Sequence, residues 1–369
     1  MRKRVVVLSI IMVLFVCEFS YSEKPLISAQ SAILMDAQSK RVLLEYNPYV
    51  KLPMASTTKI MTALVALENG KLDDKVKIGK EAVGIEGSSI YLQEGEILTL
   101  EDLLYGLMLR SGNDAAMAIA YHIGGDLENF VKMMNKKAKE MGANSTNFAN
   151  PHGLHQENHY TTAYDLALIT AEAMKIEKFK EISKTKKWKA NREKNNIFYN
   201  KNNTLWDFDG GDGVKTGYTR NAGRCLVTSA TRNNTQLIAV VLNDSNWFND
   251  CYKLMDYGFK NFTTYVIFDK EQFIKNIPVI DGNKESIRVV TKNSLLYPLR
   301  EEELEKVKIN VTLPNRITPP VRKGDYVGNI VVYLDGRIIH EDSLISKDTV
   351  SRLGPIKRII NKIKGFNIN

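Results

Sequence analysis

Apolar residues recur along this chain in two rhythms, every second position in some stretches and every third or fourth in others. Residues 32–36 and 41–46 are short β-like runs joined by the polar turn Ala37-Gln38-Ser39-Lys40, which predicts a hairpin. Residues 56–69 carry almost no charge on their inner turns and are closed by Gly70, so they predict a buried helix with a glycine C-cap. Helical spacing returns over 100–123, 127–141 and 163–173. Gly210-Gly211-Asp212-Gly213 then breaks the chain ahead of three strand-like runs, 214–218, 224–230 and 237–242, and 247–262 follows as an amphipathic helix. Strands at both ends with helices between them predict one sheet assembled from both ends of an α/β domain.

From about Phe268 the texture changes to short strands punctuated by Pro and Gly. Residues 305–313 alternate without error: Val307, Ile309, Val311 and Leu313 share one face, Lys306, Lys308, Asn310 and Thr312 the other. This predicts a half-buried strand of a small β domain. Residues 326–334 and 337–340, separated by Asp335-Gly336, add a hairpin. The junction is expected near 265–268.

Composition narrows the class. The 369 residues are 44% hydrophobic and 25% charged, a globular balance that excludes disorder as the main state. No internal period marks a solenoid, and no apolar run beyond the N-terminus reaches the roughly 18 residues of a spanning helix. The net charge of +9 invites a nucleic-acid reading, but the cations sit at the chain ends. Arg2, Lys3 and Arg4 lie in the first 22 residues; Arg352, Lys357, Arg358, Lys362 and Lys364 lie in the last twenty, with no acid among them. The near-neutral body lacks the basic stripe of a nucleic-acid binder, so no nucleic-acid partner is expected.

The basic start, the apolar run 5–17, and Ser20 and Ser22 before the expected cut read as a secretory signal over 1–22. Cys17 leaves with it. Cys225 and Cys251 remain, too few for a disulfide framework and better read as small buried apolar residues.

Ser56-Thr57-Thr58-Lys59 opens the buried helix, where residues three apart share a face and a hydroxyl can meet an amine. A serine nucleophile needs a base, and lysine serves if burial and a nearby cation keep it neutral. Alone the motif is weak, because Ser183–Lys186 repeats it in a Lys-rich stretch that reads as solvated surface. Ser56 has company: Ser111-Gly112-Asn113 follows at a turn between helical runs, and Lys215-Thr216-Gly217 lies inside a strand-like run. Ser145-Thr146-Asn147 also fits the second pattern, but Lys-Thr-Gly occurs once. The three in that order match the signature of penicillin-interacting serine enzymes.

With the Asn150-Pro151-His152-Gly153-Leu154 loop, His159–Asp165 and Asp212–Thr219, the chain resembles the low-molecular-mass penicillin-binding proteins that act as serine-type D-alanyl-D-alanine carboxypeptidases. The resemblance implies an α/β catalytic domain of the β-lactamase and penicillin-binding transpeptidase type, an antiparallel sheet flanked by helices, over 23–266. A small all-β domain over 267–348 and an amphipathic membrane-associating tail over 349–369 would follow. It implies a hydrolase that removes the terminal D-Ala of peptidoglycan stem pentapeptides through an acyl-enzyme on Ser56, is acylated by β-lactams, and needs no cofactor or metal. Lys59 would take the Ser56 proton, Ser111 relay it to the departing amine, and Asn113 hold a substrate amide. Lys215 and Thr216 would attract the terminal carboxylate, and Gly217 would let the substrate approach the strand edge. The N–H groups of Ser56 and Tyr218 would bind the oxyanion, with His152 shaping the rim.

Two departures stand out. Many members of that family carry a basic residue just before the last helix of the catalytic domain, whereas Asn246-Trp247-Phe248-Asn249 has none. The Glu-x-x-Leu-Asn loop with which class A β-lactamases hydrolyse their acyl-enzyme is also missing, which argues against a β-lactamase. Two alternatives are weighed beside this reading. His152, His155 and His159 have spacing suited to a zinc-dependent D,D-peptidase, although no His-Glu-x-x-His helix is present and His155 and His159 read more readily as surface or capping residues. A non-catalytic wall-peptide-binding scaffold is the other. The tail places Ile356, Ile359, Ile360, Ile363 and Phe366 within an arc of roughly 120° with its cations outside it, a basic helix suited to lie on a membrane surface. The expected location is the outer face of the cytoplasmic membrane.

Overall fold

The computed structural model describes residues 23–355. The stretch expected to be a secretory signal, 1–22, and most of the expected amphipathic tail, 356–369, therefore lie outside the described residues. The N-terminal hairpin forms as expected, β1 (Ser31–Asp36) with β2 (Val42–Tyr46). It joins three later strands, β7 (Gly211–Thr219), β8 (Gly223–Arg232) and β9 (Thr235–Leu242), in an antiparallel sheet of order β2-β1-β9-β8-β7. β3 (Lys75–Lys77) with β4 (Ile97–Thr99), and β5 (Lys187–Lys189) with β6 (Ile197–Tyr199), make two small ribbons.

Both faces of the sheet are covered, which is why β9 reads as an unbroken apolar run. Ile33, Met35, Ile238 and Val240 enter one core with α1 (Lys59–Asn69), α2 (Leu100–Leu109), α3 (Asn113–Gly124), α4 (Leu127–Glu140) and α5 (Ala163–Ala173). The alternate residues Ala32, Leu34, Ala239 and Val241 pack on the other face with Leu254 and Met255, which belong to α8 (Trp247–Asn261). Local chemistry starts the helices: Thr99, Asp126 and Thr162 accept from the N–H of Asp102, Asn129 and Asp165. α6 (Glu177–Lys184) and the single turn α7 (Thr204–Asp207) lead back to the sheet.

Gly70 does end α1, but with φ −119° rather than in the left-handed conformation. A Cβ there would lie 2.5 Å from Leu100 Cδ2 and 2.6 Å from Ile123 Cδ1, so these two side-chain ends would have to shift to admit one.

The second domain has a five-stranded sheet of order β11-β12-β16-β15-β14, made of β11 (Phe273–Pro278), β12 (Ser286–Thr291), β14 (Val307–Thr312), β15 (Tyr326–Leu334) and β16 (Arg337–Ser346). β10 (Thr263–Phe268) pairs with β13 (Leu295–Leu299), and the two sheets share a core that includes Phe268, Leu295, Ile287 and Val332. β13 is thus the partner of β10, and both strands lie in this second sheet system. The run 305–313 departs from its half-buried expectation. Its first two residues close a 3-10 helix, and β14 is an edge strand on which Ile309 and Val311 remain 45% and 43% exposed. Alternation marks a pleat; it does not say how far the opposing layer extends. Arg41 ties the domains, its guanidinium 5.3 Å from the Phe262 ring and 5.2 Å from the Tyr297 ring and paired with Glu303. No helix of the described residues is long and apolar enough to cross a membrane.

Candidate active site

Ser56 lies in a 3-10 turn, Ala55–Thr58, that runs into α1 at Lys59. A 3-10 turn eclipses residues three apart more fully than an α-helix. The Ser56 hydroxyl accordingly meets Lys59 Nζ at 3.0 Å. Lys59 is fully buried, and its amine has two other contacts, Asn113 Oδ1 at 2.7 Å and the His152 carbonyl at 2.6 Å. Ser111 is not among them.

The backbone before Ser56 is held in an unfavourable conformation. Ala55 has φ +48°, a region that side-chain-bearing residues seldom occupy. Its carbonyl accepts from Thr58 Oγ1 at 2.8 Å, and Thr58 Oγ1 contacts His159 Nε2 at 2.7 Å. His159 Nδ1 accepts from the Ala149 N–H at 3.0 Å, so Nε2 carries the proton and donates to Thr58. His159 is thus a buried support of the Ser56 turn, not the surface or capping residue expected. Gly153, at φ +89°, presses on the same carbonyl; a Cβ there would lie 1.9 Å from Ala55 O.

Ser111 and Asn113 flank the break between α2 and α3. Ser111 is buried with φ +63°, a second residue of the motifs' neighbourhood in the left-handed region. Asn113 Oδ1 holds Lys59 while its Nδ2 donates to the Glu86 carbonyl, so most of its amide serves the protein rather than a substrate. Asp114 fastens the facing loop by accepting from the N–H groups of Ile90 and Leu92, each at 3.1 Å.

Lys215, Thr216, Gly217 and Tyr218 lie on β7, the free edge of the sheet. Lys215 is buried and donates to the Thr216 carbonyl at 2.9 Å, while Tyr218 is 63% exposed. A Cβ on Gly217 would sit 2.9 Å from Ser56 N and 3.1 Å from Thr57 N. The glycine therefore lets this strand lie against the Ser56 turn, a demand separate from the substrate approach expected of it.

Electrostatics complete the arrangement. Burial, then the Lys215 cation, push the Lys59 amine well below its ordinary pKa against an upward pull from Asp114, with Lys201 adding the least of the four effects, downward. Burial and Lys201 bring Lys215 down to about 7. Lys201 carries no motif in the sequence; only the fold brings its charge near these two amines.

The family described as D-alanyl-D-alanine carboxypeptidase matches residues 19–246, and the penicillin-binding protein 5 C-terminal domain matches 262–352. The chain belongs to the D-alanyl-D-alanine carboxypeptidase family. It is 35% identical to the D-alanyl-D-alanine carboxypeptidase DacF of Bacillus subtilis over 337 residues, 88% of this chain and 87% of that one. It is 34% identical to DacC of Escherichia coli over 359 residues, 91% and 88% of the two chains. Among solved structures, penicillin-binding protein 5 from Haemophilus influenzae superposes with a TM-score of 0.76 at 33% identity, over 89% of this chain and 99% of that one. The protein is a serine peptidase of this carboxypeptidase family and a penicillin-binding protein.

The remaining candidates sort accordingly. His155 is exposed, and His159 spends both ring nitrogens on Ala149 and Thr58. Among the described residues no three His, Cys, Asp or Glu side chains converge on a metal-sized space. Burial holds His152 at about 3 and His159 at about 4, so both imidazoles are neutral in the working range of a hydrolase. Ser183, expected in solvated surface, is buried on the inner face of α6, while Lys186 stays outside. Cys225 and Cys251 are free and buried, as read.

Proposed function

We propose that Ser56 is the acylated nucleophile of this carboxypeptidase and Lys59 its general base, acting on peptidoglycan stem peptides that end in D-Ala-D-Ala. The contacts of Lys59 Nζ carry the reading. A neutral amine has two N–H donors and one lone pair. Asn113 Oδ1 and the His152 carbonyl are obligate acceptors and take both donors, which turns the lone pair toward the Ser56 hydroxyl. Ser56 Oγ then attacks the carbonyl carbon of the penultimate D-Ala and passes its proton to Lys59. The oxyanion lies between the N–H groups of Ser56 and Tyr218, a role supported by the contact of Gly217 with the Ser56 amide. Collapse breaks the peptide bond, the departing D-Ala amine takes a proton by way of Ser111, and water later hydrolyses the Ser56 ester. Lys215 and Thr216 attract the terminal carboxylate, Asn113 offers its remaining amide N–H to the substrate, and His152 shapes the rim.

Intact mass after incubation with a penicillin should rise by one drug molecule, and peptide mapping should place the adduct on Ser56. An adduct on Ser183 overturns the assignment. Chelators should leave activity untouched; loss on chelation with recovery on adding zinc would restore the histidine reading.

The chain is further proposed to be exported and held on the outer face of the cytoplasmic membrane by residues 354–369. In helical form, 354–366 covers about 20 Å, too short to span a bilayer. The support is the segregation of five apolar residues from four cations, which suits an anionic interface. Deleting 354–369 should release the enzyme from anionic vesicles in a sedimentation assay with its solution carboxypeptidase rate unchanged. Continued sedimentation of the truncated enzyme overturns the anchor.

A further inference from the structure

Thr216 and Lys215 leave the recognition of the substrate carboxylate short of fixed charge. Lys215 is buried, and its amine already donates to Thr216 O. No basic residue stands at Asn246-Trp247-Phe248-Asn249, the start of α8. The neighbouring strand supplies another cation. In the β7–β8 register Tyr218 pairs with Arg224 and Thr216 with Leu226. Opposed residues on an antiparallel pair share a face, so Thr216, Tyr218 and Arg224 project together. Arg224 is then the diagonal neighbour of Thr216, within the reach of a long side chain. β7 is the edge strand, with Lys215 on one face of the β7–β8 pair and Arg224 on the other.

Arg224 opens onto a cleft. With Tyr218, Asn243, Ser245 and Trp247 it lines an open cleft of about 550 Å³. Its Nη1 donates to the Ser245 carbonyl at 2.9 Å and its guanidinium lies 5.9 Å from the Trp247 ring. Those contacts fix the plane and leave the other N–H groups without a carboxylate: Arg224 has no ion pair among the described residues. Asp244, the acid in the cleft wall, is buried and turned onto Ser28 and the Asn246 N–H.

We propose that Arg224 is the fixed cation that reads the C-terminal carboxylate of the substrate, together with the Thr216 hydroxyl across the edge of β7. A planar guanidinium offers a carboxylate two parallel donors and stays charged at every working pH. The proposal rests on the assignment of Ser56 as nucleophile, and the test separates the two.

Hydrolysis is measured on a peptide ending in D-Ala-D-Ala and on the same peptide with an amidated C-terminus. The quantity read is the ratio of the two kcat/KM values, taken on one preparation so that the folded fraction cancels. Arg224→Gln should lower the ratio about tenfold, the worth of a charge-assisted hydrogen bond, with Arg224→Glu lower still. Arg220→Gln, in the same hairpin but outside the cleft, should keep the parental ratio. If Ser56→Ala still turns over either peptide, the nucleophile assignment falls whatever Arg224 does. If Ser56→Ala is inert while Arg224→Gln keeps the parental ratio, or Arg220→Gln lowers it equally, the Arg224 proposal alone is overturned.

Discussion

Ser56→Ala should slow release of D-Ala from a D-Ala-D-Ala peptide by about 10⁴-fold or more, the scale of losing a nucleophile whose partners act as a unit. The same change should abolish the penicillin adduct. Its structural cost is small. Only one hydroxyl is removed, and Lys59 keeps Asn113 Oδ1 and the His152 carbonyl as partners. The variant should therefore melt within a few degrees of the parent, as expected for a change that opens no cavity and strands no buried group. Retention of the adduct, or its transfer to Ser111, would show that the attacking oxygen lies elsewhere.

Lys59→Arg should acylate at least about 10³-fold more slowly, because a guanidinium does not deprotonate in a protein and leaves Ser56 without a base. An arginine variant that acylates at the parental rate would falsify the neutral-amine mechanism. The pH profile of the parent enzyme is the companion measurement. Lys59 works when neutral, so kcat/KM should rise with pH through its depressed pKa. Lys215 attracts the carboxylate when protonated, so the same quantity should fall as pH passes about 7. Bound substrate places its own carboxylate beside Lys215 and favours the charged amine, so kcat should keep its plateau to higher pH than kcat/KM. His152 and His159, at about 3 and about 4, add no limb in this range. An alkaline limb unchanged by Lys215→Arg would remove that lysine from carboxylate recognition.

How far the site was legible depended on whether its parts are close in the chain. Ser56 and Lys59 are three residues apart, and any right-handed helical turn brings them together. The alternation of β9, split between two cores, follows equally from a two-residue pleat. Motif order was readable because Lys215-Thr216-Gly217 occurs once in the chain.

The missed residues have no such local mark. His159 reaches Thr58 across 101 positions, and Lys201 acts on Lys59 through space. Ile309 and Val311 keep perfect alternation yet stay exposed, because burial depends on what the opposing layer covers. Gly70, Gly153 and Gly217 are three glycines whose reasons lie in distant atoms, namely Leu100 and Ile123, Ala55 O, and Ser56 N.

Spacing and periodicity are properties of a chain's own geometry, so the residue types, their faces and the pairing of hydroxyl with amine were set along the sequence. Charge state is not such a property. The Lys59 amine is pushed toward its neutral form only because burial and cations from remote segments make its protonated form costly, and those neighbours exist only once the sheet and helices have packed. The same holds for Arg224, which the β7–β8 register sets opposite Tyr218 of the edge strand.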